Sequence, residues 1–419
     1  MKTLKILSLS LLASTALVSH GDEKSIDVWA WNINVPVLEK VAEAYKQEHP
    51  DAVINISDIG RNDVYTKVNV GLQAKGKGLP DAILVEDEYL AGFLANWPNA
   101  FANLSELGYD QYANDFPEFK RNAVQVDGQF FATPFDIGPV AIFYRPSFFA
   151  KVGVDPASVK TWDDYIAAGK KIKEATGSYM TNVSTDDDAL FRIFLQQNGG
   201  GYFDKDGNID FNSPKALAAL TLIDNMEKQG IIYTGAKGWD GFVQAIASSK
   251  IVALPQGAWV VGTIESQAPD SQGDWAVMPM PKSNADQKEA NIGGSNFAIF
   301  STSDNIQATY DFLSFFSANT ANQEIAFKGG LYPSFTPVYK EDSFKAGVEF
   351  FGGQSVWTDV AKIVPNIADF TYTMDYSIAR EEGYKIITEA ITTDKEPSKI
   401  LSDAAKRLAN QTGRKINKY

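Results

Sequence analysis

Four carboxylates, Glu86, Asp87, Asp136 and Asp186, and one guanidinium, Arg61, follow predicted strands or turns, the places from which a rigid scaffold presents functional groups. Trp31 stands beside Asn32, and Trp259 follows Gly257-Ala258 just after a predicted strand. A flat indole covers the apolar C–H face of a sugar ring at little entropic cost, and a carboxylate accepts two hydrogen bonds from vicinal hydroxyls. Aromatics mixed with carboxylates would equally suit a cationic ligand such as a polyamine. Arg61 admits an acidic sugar such as a uronide. Glu86, Asp87 and Asp136 could instead form the acid and base of a glycosidase, with carboxyls about 5 to 10 Å apart. Plainer roles stand beside these: a solvated loop carboxylate or a helix N-cap explains Glu86 and Asp87, and Asp186 within Asp186-Asp187-Asp188, without any ligand.

Other chemistries lack their residues. The 419-residue chain has no cysteine and two histidines, of which His49 sits at a helix end beside Pro50. No nucleophile elbow, phosphate-binding loop, metal-ligand cluster or dinucleotide fingerprint is present, so no catalytic residue, cofactor or metal is expected. Asp204 to Asp210 resembles a calcium loop superficially, but Gly207 stands at the fourth position rather than the sixth and Lys215 takes the place of the bidentate glutamate. A hairpin turn explains it better. The net charge of −14 disfavours nucleic acid and anionic lipid surfaces.

Residues 1–21 read as an export signal: Lys2 and Lys5, an apolar run from Ile6 to Val18, then small residues at Ser19-His20-Gly21 before a cut at Asp22. That run is too short to span a bilayer, and without cysteine no thioether lipid anchor can form. A free periplasmic protein of a Gram-negative host, monomeric and without nucleic-acid partners, is expected.

Roughly 400 mature residues exceed what one core usually serves, so about two domains are expected. Ser25 to Trp31 reads as a strand, and Leu38, Val41, Ala42 and Tyr45 recur at helical spacing until Pro50. A strand from Val53 to Ile56, a helix from Asp63 to about Lys75 and an apolar strand from Asp81 to Val85 complete a β-α-β-α-β unit. Such units build parallel sheets that bind ligands beyond the carboxyl ends of their strands, here Trp31 to Asn34, Gly60 to Asn62 and Glu86 to Glu88. Further on come a hairpin about Asp127-Gly128, a strand from Val140 to Tyr144 and a helix capped at Thr161-Trp162-Asp163-Asp164. Helical patterns at Pro214 to Gly230 and Phe242 to Ser249 precede a strand from Ile251 to Leu254.

The segments Val28-Trp29-Ala30-Trp31-Asn32, Leu79-Pro80-Asp81-Ala82-Ile83-Leu84, Ala141-Ile142-Phe143-Tyr144-Arg145-Pro146, Thr161-Trp162-Asp163-Asp164-Tyr165, Gln256-Gly257-Ala258-Trp259, Gly293-Gly294-Ser295 and Pro365-Asn366-Ile367 form a series. In order and spacing it resembles the extracellular solute-binding proteins, family 1, of carbohydrate ABC importers, the group that includes maltose-binding protein. The resemblance covers nearly all of the mature chain. It implies an α/β fold of two lobes, the type II periplasmic binding protein fold, closing on a ligand by a hinge. The expected lobes are 25–135 plus 282–330 and 136–281 plus 331–419, with crossings near 134–139, 278–281 and 331–336. It further implies a di- or oligosaccharide ligand and membrane ABC permease subunits as partners. Trp259 is then a stacking residue, Trp239 a cleft residue of the second lobe, and Tyr332, Trp357 and Tyr372 candidates from the third crossing and the last segment. Ser295 and Asn296 follow glycines that would let backbone approach a ligand, although turn chemistry explains those glycines nearly as well.

Overall fold

A computed structural model describes residues 25–419, so the export signal expected at 1–21 lies outside the described residues. The strands are β1 (Ile26–Ala30), β2 (Ile54–Asp58), β3 (Ala82–Glu86), β4 (Gln125–Val126), β5 (Gln129–Phe130), β6 (Thr133–Pro134), β7 (Val140–Tyr144), β8 (Thr181–Asn182), β9 (Ile232–Tyr233), β10 (Ala253–Gly257), β11 (Ala276–Met278) and β12 (Ser295–Ile299).

The first sheet has the order β2-β1-β3-β12-β6. β1 runs parallel to β2 and β3, with Ile26 opposite Ile54 and Val28 opposite Ala82, as the β-α-β-α-β pattern requires. β12 closes antiparallel on β3. Helices Asn34–Glu48 and Arg61–Gln73 bury Val37, Leu38, Val41, Val64 and Val68 against this sheet, forming one core with Leu84, Phe297 and Phe312. The Asp127-Gly128 turn has φ of 50° and 79°, the positive values a two-residue hairpin demands between β4 and β5.

The second sheet, β10-β7-β11, is antiparallel. β10 continues through Pro255 to Gly257, beyond the strand end expected at Leu254; on this edge strand a missing N–H costs no ladder bond. Helix Trp162–Thr176 carries the expected capping box, Thr161 accepting from the Asp164 N–H while the Asp164 carboxylate accepts from Thr161. The helix expected from Phe242 begins earlier, at Gly238, and so takes in Trp239.

Three segments cross between the lobes side by side. Ile137 N–H donates to the Tyr332 carbonyl at 3.0 Å, Ile292 N–H to Gly138 at 2.9 Å and Val140 N–H to Ala290 at 2.9 Å. Gly138 is required there, because a Cβ would lie 2.0 Å from the Ile292 carbonyl oxygen. These hydrogen bonds bring 137–140, 290–292 and 332 together. Ala290 and Ile292 belong to the second-lobe core with Ile142, Phe194 and Ile386, and from Ser295 the chain pairs with β3 as β12. Among the described residues no helix is long and apolar enough to cross a membrane.

Candidate functional site

Between the lobes lies a cavity of about 1190 Å³, above the roughly 300–1,000 Å³ of ordinary small-molecule sites. The carboxyl ends of the parallel strands supply its first wall: Trp31 and Asn32 after β1, Arg61 after β2, and Glu86 at the end of β3. Asn32 sits at φ 51°, a left-handed turn that Asn tolerates, and Asn34 Nδ2 ties the turn by donating to the Trp31 carbonyl at 3.0 Å. The Trp31 ring packs 5.8 Å from Tyr65, which stacks on Tyr89 at 3.7 Å; Arg61 lies over both tyrosines.

The crossing segments form the floor. Asp136 Oδ1 accepts from the Ser295 N–H at 2.6 Å, and both residues line the cavity with Gly293 and Gly294. Burial pushes the Asp136 carboxyl up to about 6 against the lowering pull of Lys120 and the Ser295 N–H, while Asp87 and Glu86 add to the rise.

The opposite wall is aromatic. Trp259 and Trp239 line it with ring centroids 6.0 Å apart, and Trp259 Nε1 is anchored on the Ile292 carbonyl at 3.0 Å. Trp239 remains 48% exposed. Asp186 and Asp187 lie on the same side, with Ser184 donating to the Asp186 carboxylate.

The structure therefore gathers Trp31, Asn32, Arg61, Glu86, Asp136, Asp186, Trp239, Trp259 and Ser295 around one space. It places five other candidates elsewhere. Asp87 is buried in an ion pair with Lys120 at 2.7 Å, and Asn296 donates to the same carboxylate at 2.7 Å, so both support the floor from behind. Asn296 points inward because pleating turns it to the face opposite its cavity-lining neighbour Ser295. Tyr332 and Trp357 pack on each other, Trp357 also on Phe327 and Tyr332 also on Phe344. Tyr372 packs edge-on against Tyr376 at 4.9 Å, alongside Phe370. Aromatic residues near an expected cleft bury in a core whenever neighbouring apolar surface is available. His49 stacks on Tyr45 at 4.1 Å.

Arg192, Arg380 and Tyr384 also line the cavity and were not anticipated. A charged Arg192 inside the apolar run Leu190 to Leu195 was the available signal, since a buried cation needs a partner. Arg380 and Tyr384 stand one helical turn apart on helix Tyr376–Thr392. Glu86 takes the Arg61 Nε–H at 2.7 Å and the Tyr65 hydroxyl at 3.0 Å. Asp204 accepts from its own loop, Asp206 and Asn208, and from Asn417 near the C terminus. Among the described residues no cluster of histidine and carboxylates could hold a metal.

Two lobes joined by three crossings, with a deep polar and aromatic cavity between them, define a solute-binding protein. The chain belongs to the bacterial extracellular solute-binding proteins, whose family model matches residues 40–352. It is 30% identical over 411 residues to the lactose-binding protein of Rhizobium radiobacter, covering 94% of each chain. It is 24% identical to the arabinooligosaccharide-binding protein of Halalkalibacterium halodurans, covering 90% of this chain and 87% of that one. Its fold matches the ABC-transporter-associated binding protein of B. animalis subsp. lactis in complex with β-1,6-galactobiose. There the TM-score is 0.82 and the identity 25%, over 94% of this chain and 100% of the other. The galacto-N-biose/lacto-N-biose I-binding protein of Bifidobacterium longum, in complex with lacto-N-biose, aligns with a TM-score of 0.79 at 21% identity, over 94% and 99% of the two chains.

Proposed function

We propose that the chain is the periplasmic substrate-binding component of a carbohydrate ABC importer and takes a neutral di- or oligosaccharide in the cavity between its lobes. The observation that carries this reading is the paired indole wall of Trp239 and Trp259, which shares one cavity with Trp31, Glu86 and Asp136. Indoles would stack on sugar faces, and the carboxylates would select hydroxyl orientation. Relatives named for lactose and arabinooligosaccharides point the same way. A neutral ligand is favoured over a uronide because Arg61, Arg192 and Arg380 each already hold a carboxylate partner. No covalent step is involved. The lobes comprise 25–135 with 295–331 and 136–294 with 332–419, the leader is removed without lipidation, and the mature monomer delivers its ligand to the permease subunits.

The test is calorimetric titration of the mature protein with lactose, β-1,6-galactobiose, galacturonate and spermidine at low and high salt. Expected is one-to-one binding of a neutral glycan, insensitive to salt and with the glycan recovered intact. Salt-sensitive binding of spermidine alone would replace the carbohydrate reading with a polyamine one. Cleavage of the glycan would make the protein an enzyme.

A further inference from the structure

At the cavity wall an ion cluster crosses from one lobe to the other, with its arginines at the surface and its carboxylates behind them. Glu88 belongs to helix Asp87–Asn96, whose Leu90 and Phe93 pack in the first-lobe core. Its carboxylate accepts from Arg192 Nη1 at 2.8 Å and from Arg380 Nη1. Both arginines stand on second-lobe helices, Ala189–Gln197 and Tyr376–Thr392, which pack in the other core through Phe191, Ile193, Ala379 and Ile386. Asp188 holds the arginines from their own side, 3.0 Å from Arg192 Nε and 3.6 Å from Arg380 Nε, and accepts from the Tyr202 hydroxyl at 2.5 Å. The Glu88 side chain is 5% exposed and that of Asp188 fully buried. Arg192, Arg380 and Arg61 reach the cavity surface, whereas Glu88 and Asp188 do not.

A cleft between two lobes ends where the lobes touch. We infer that the Glu88–Arg192–Arg380 cluster is an interlobe clasp that forms an end wall of the cavity and so limits the length of glycan that fits. The inference rests on the carbohydrate reading for its ligand but not for its geometry. Contact between the lobes continues beside the clasp, where a Cβ on Gly92 would lie 3.9 Å from the Met374 carbonyl oxygen. Burial opposes ionisation of Glu88, yet Arg380, Arg192 and Arg61 together hold it at about 2, so the clasp stays charged at neutral pH. Its strength comes from desolvated, charge-assisted hydrogen bonds rather than from exposed ion pairs.

Two measurements test it on the mature chain, with Glu88→Gln, Arg380→Gln and the conservative Arg380→Lys set beside Glu381→Gln, an exposed residue of the same helix. The first titrates lactose, β-1,6-galactobiose and linear galacto-oligosaccharides up to the pentaose. Glu88→Gln and Arg380→Gln should shift preference towards the longer glycans by about tenfold, Arg380→Lys should shift it less and Glu381→Gln not at all. An unchanged length preference in folded Glu88→Gln overturns the inference. The second needs no sugar. The chain contains no cysteine, so spin labels at Val70→Cys in the first lobe and Asp240→Cys in the second report the interlobe distance alone. Loss of the clasp should lengthen or broaden that distance, and an unchanged distribution overturns the inference even if no galactoside binds. Absence of binding with an altered distance leaves the clasp standing and sinks the galactoside ligand.

Discussion

The indoles of Trp239 and Trp259 lie 6.0 Å apart and tilted by 39° on one wall of the cavity, but only Trp259 is tied to the scaffold, through its Nε1–H to the Ile292 carbonyl. Replacing either by alanine should weaken glycan binding by about tenfold to a hundredfold, or about 1.4 to 2.8 kcal/mol. The two should differ in stability. Trp239→Ala, at a half-exposed site, should leave the unfolding midpoint within experimental error, whereas Trp259→Ala should lower it. Calorimetric titration and thermal unfolding of the same samples separate the two effects.

Asp136 makes stability depend on pH in a defined direction. Its carboxyl moves from an ordinary 3.8 to about 6 on folding, chiefly through burial, with Lys120 opposing and Asp87 and Glu86 reinforcing the rise. The folded chain then holds this proton more tightly than the unfolded chain. The contribution is fully present below about 3.8 and lost as pH rises through about 6. Asp136→Asn keeps an oxygen for the Ser295 N–H and removes the charge. At about pH 7.5 it should stabilise the sugar-free protein by on the order of 3 kcal/mol, and near pH 4 by less than about 1 kcal/mol. Sugar affinity should fall at neutral pH. Thermal melts across this range check the first claim and titration the second.

Lys120 is fully buried and depends on Asp87. Asp87→Asn should destabilise the fold by about 3 kcal/mol, because it removes the ion-pair partner of a buried cation and leaves it the Ser295 carbonyl at 3.0 Å and the field of Asp136. Removing both charges, as Asp87→Asn with Lys120→Met, should recover much of that loss. Urea unfolding of the two single variants and the double variant gives the coupling.

Gly138→Ala should damage the junction between the lobes, since its Cβ would meet the Ile292 carbonyl at 2.0 Å and push apart two crossing segments. A loss of about 2 kcal/mol or more in stability, with a broadened interlobe distance, is expected. Gly128→Ala on the surface hairpin, where no atom lies within 4 Å of the added Cβ, should strain only the local turn and leave the interlobe distance unchanged.

Much of the first lobe was legible because its signals are local. Val28, Leu38, Val41 and the run from Ala82 to Val85 carry the periodicity of strand and helix within a few residues, and parallel pairing follows from their alternation. Trp31, Arg61 and Glu86 reach the cavity for the same reason, as each ends or follows a parallel strand. The start of helix Gly238–Ala247 was missed because Gly238 discourages a helix, and tertiary packing overrode that preference.

What the sequence by itself determined is most of the elements and the exclusion of thiol chemistry, properties of residue type and short spacing, whereas the two-lobe class followed from the resemblance of its motif series to the carbohydrate solute-binding proteins. Which candidates share the cavity was decided only by tertiary structure. Asp87 and Glu88 are adjacent in sequence, yet one pairs with Lys120 beneath the cavity floor and the other with Arg192 and Arg380 across the lobes. Their partners lie 33, 104 and 292 positions away. A carboxylate looks the same in sequence whether solvated, paired in a core or clasped between lobes, and only the folded positions of distant cations decide among the three.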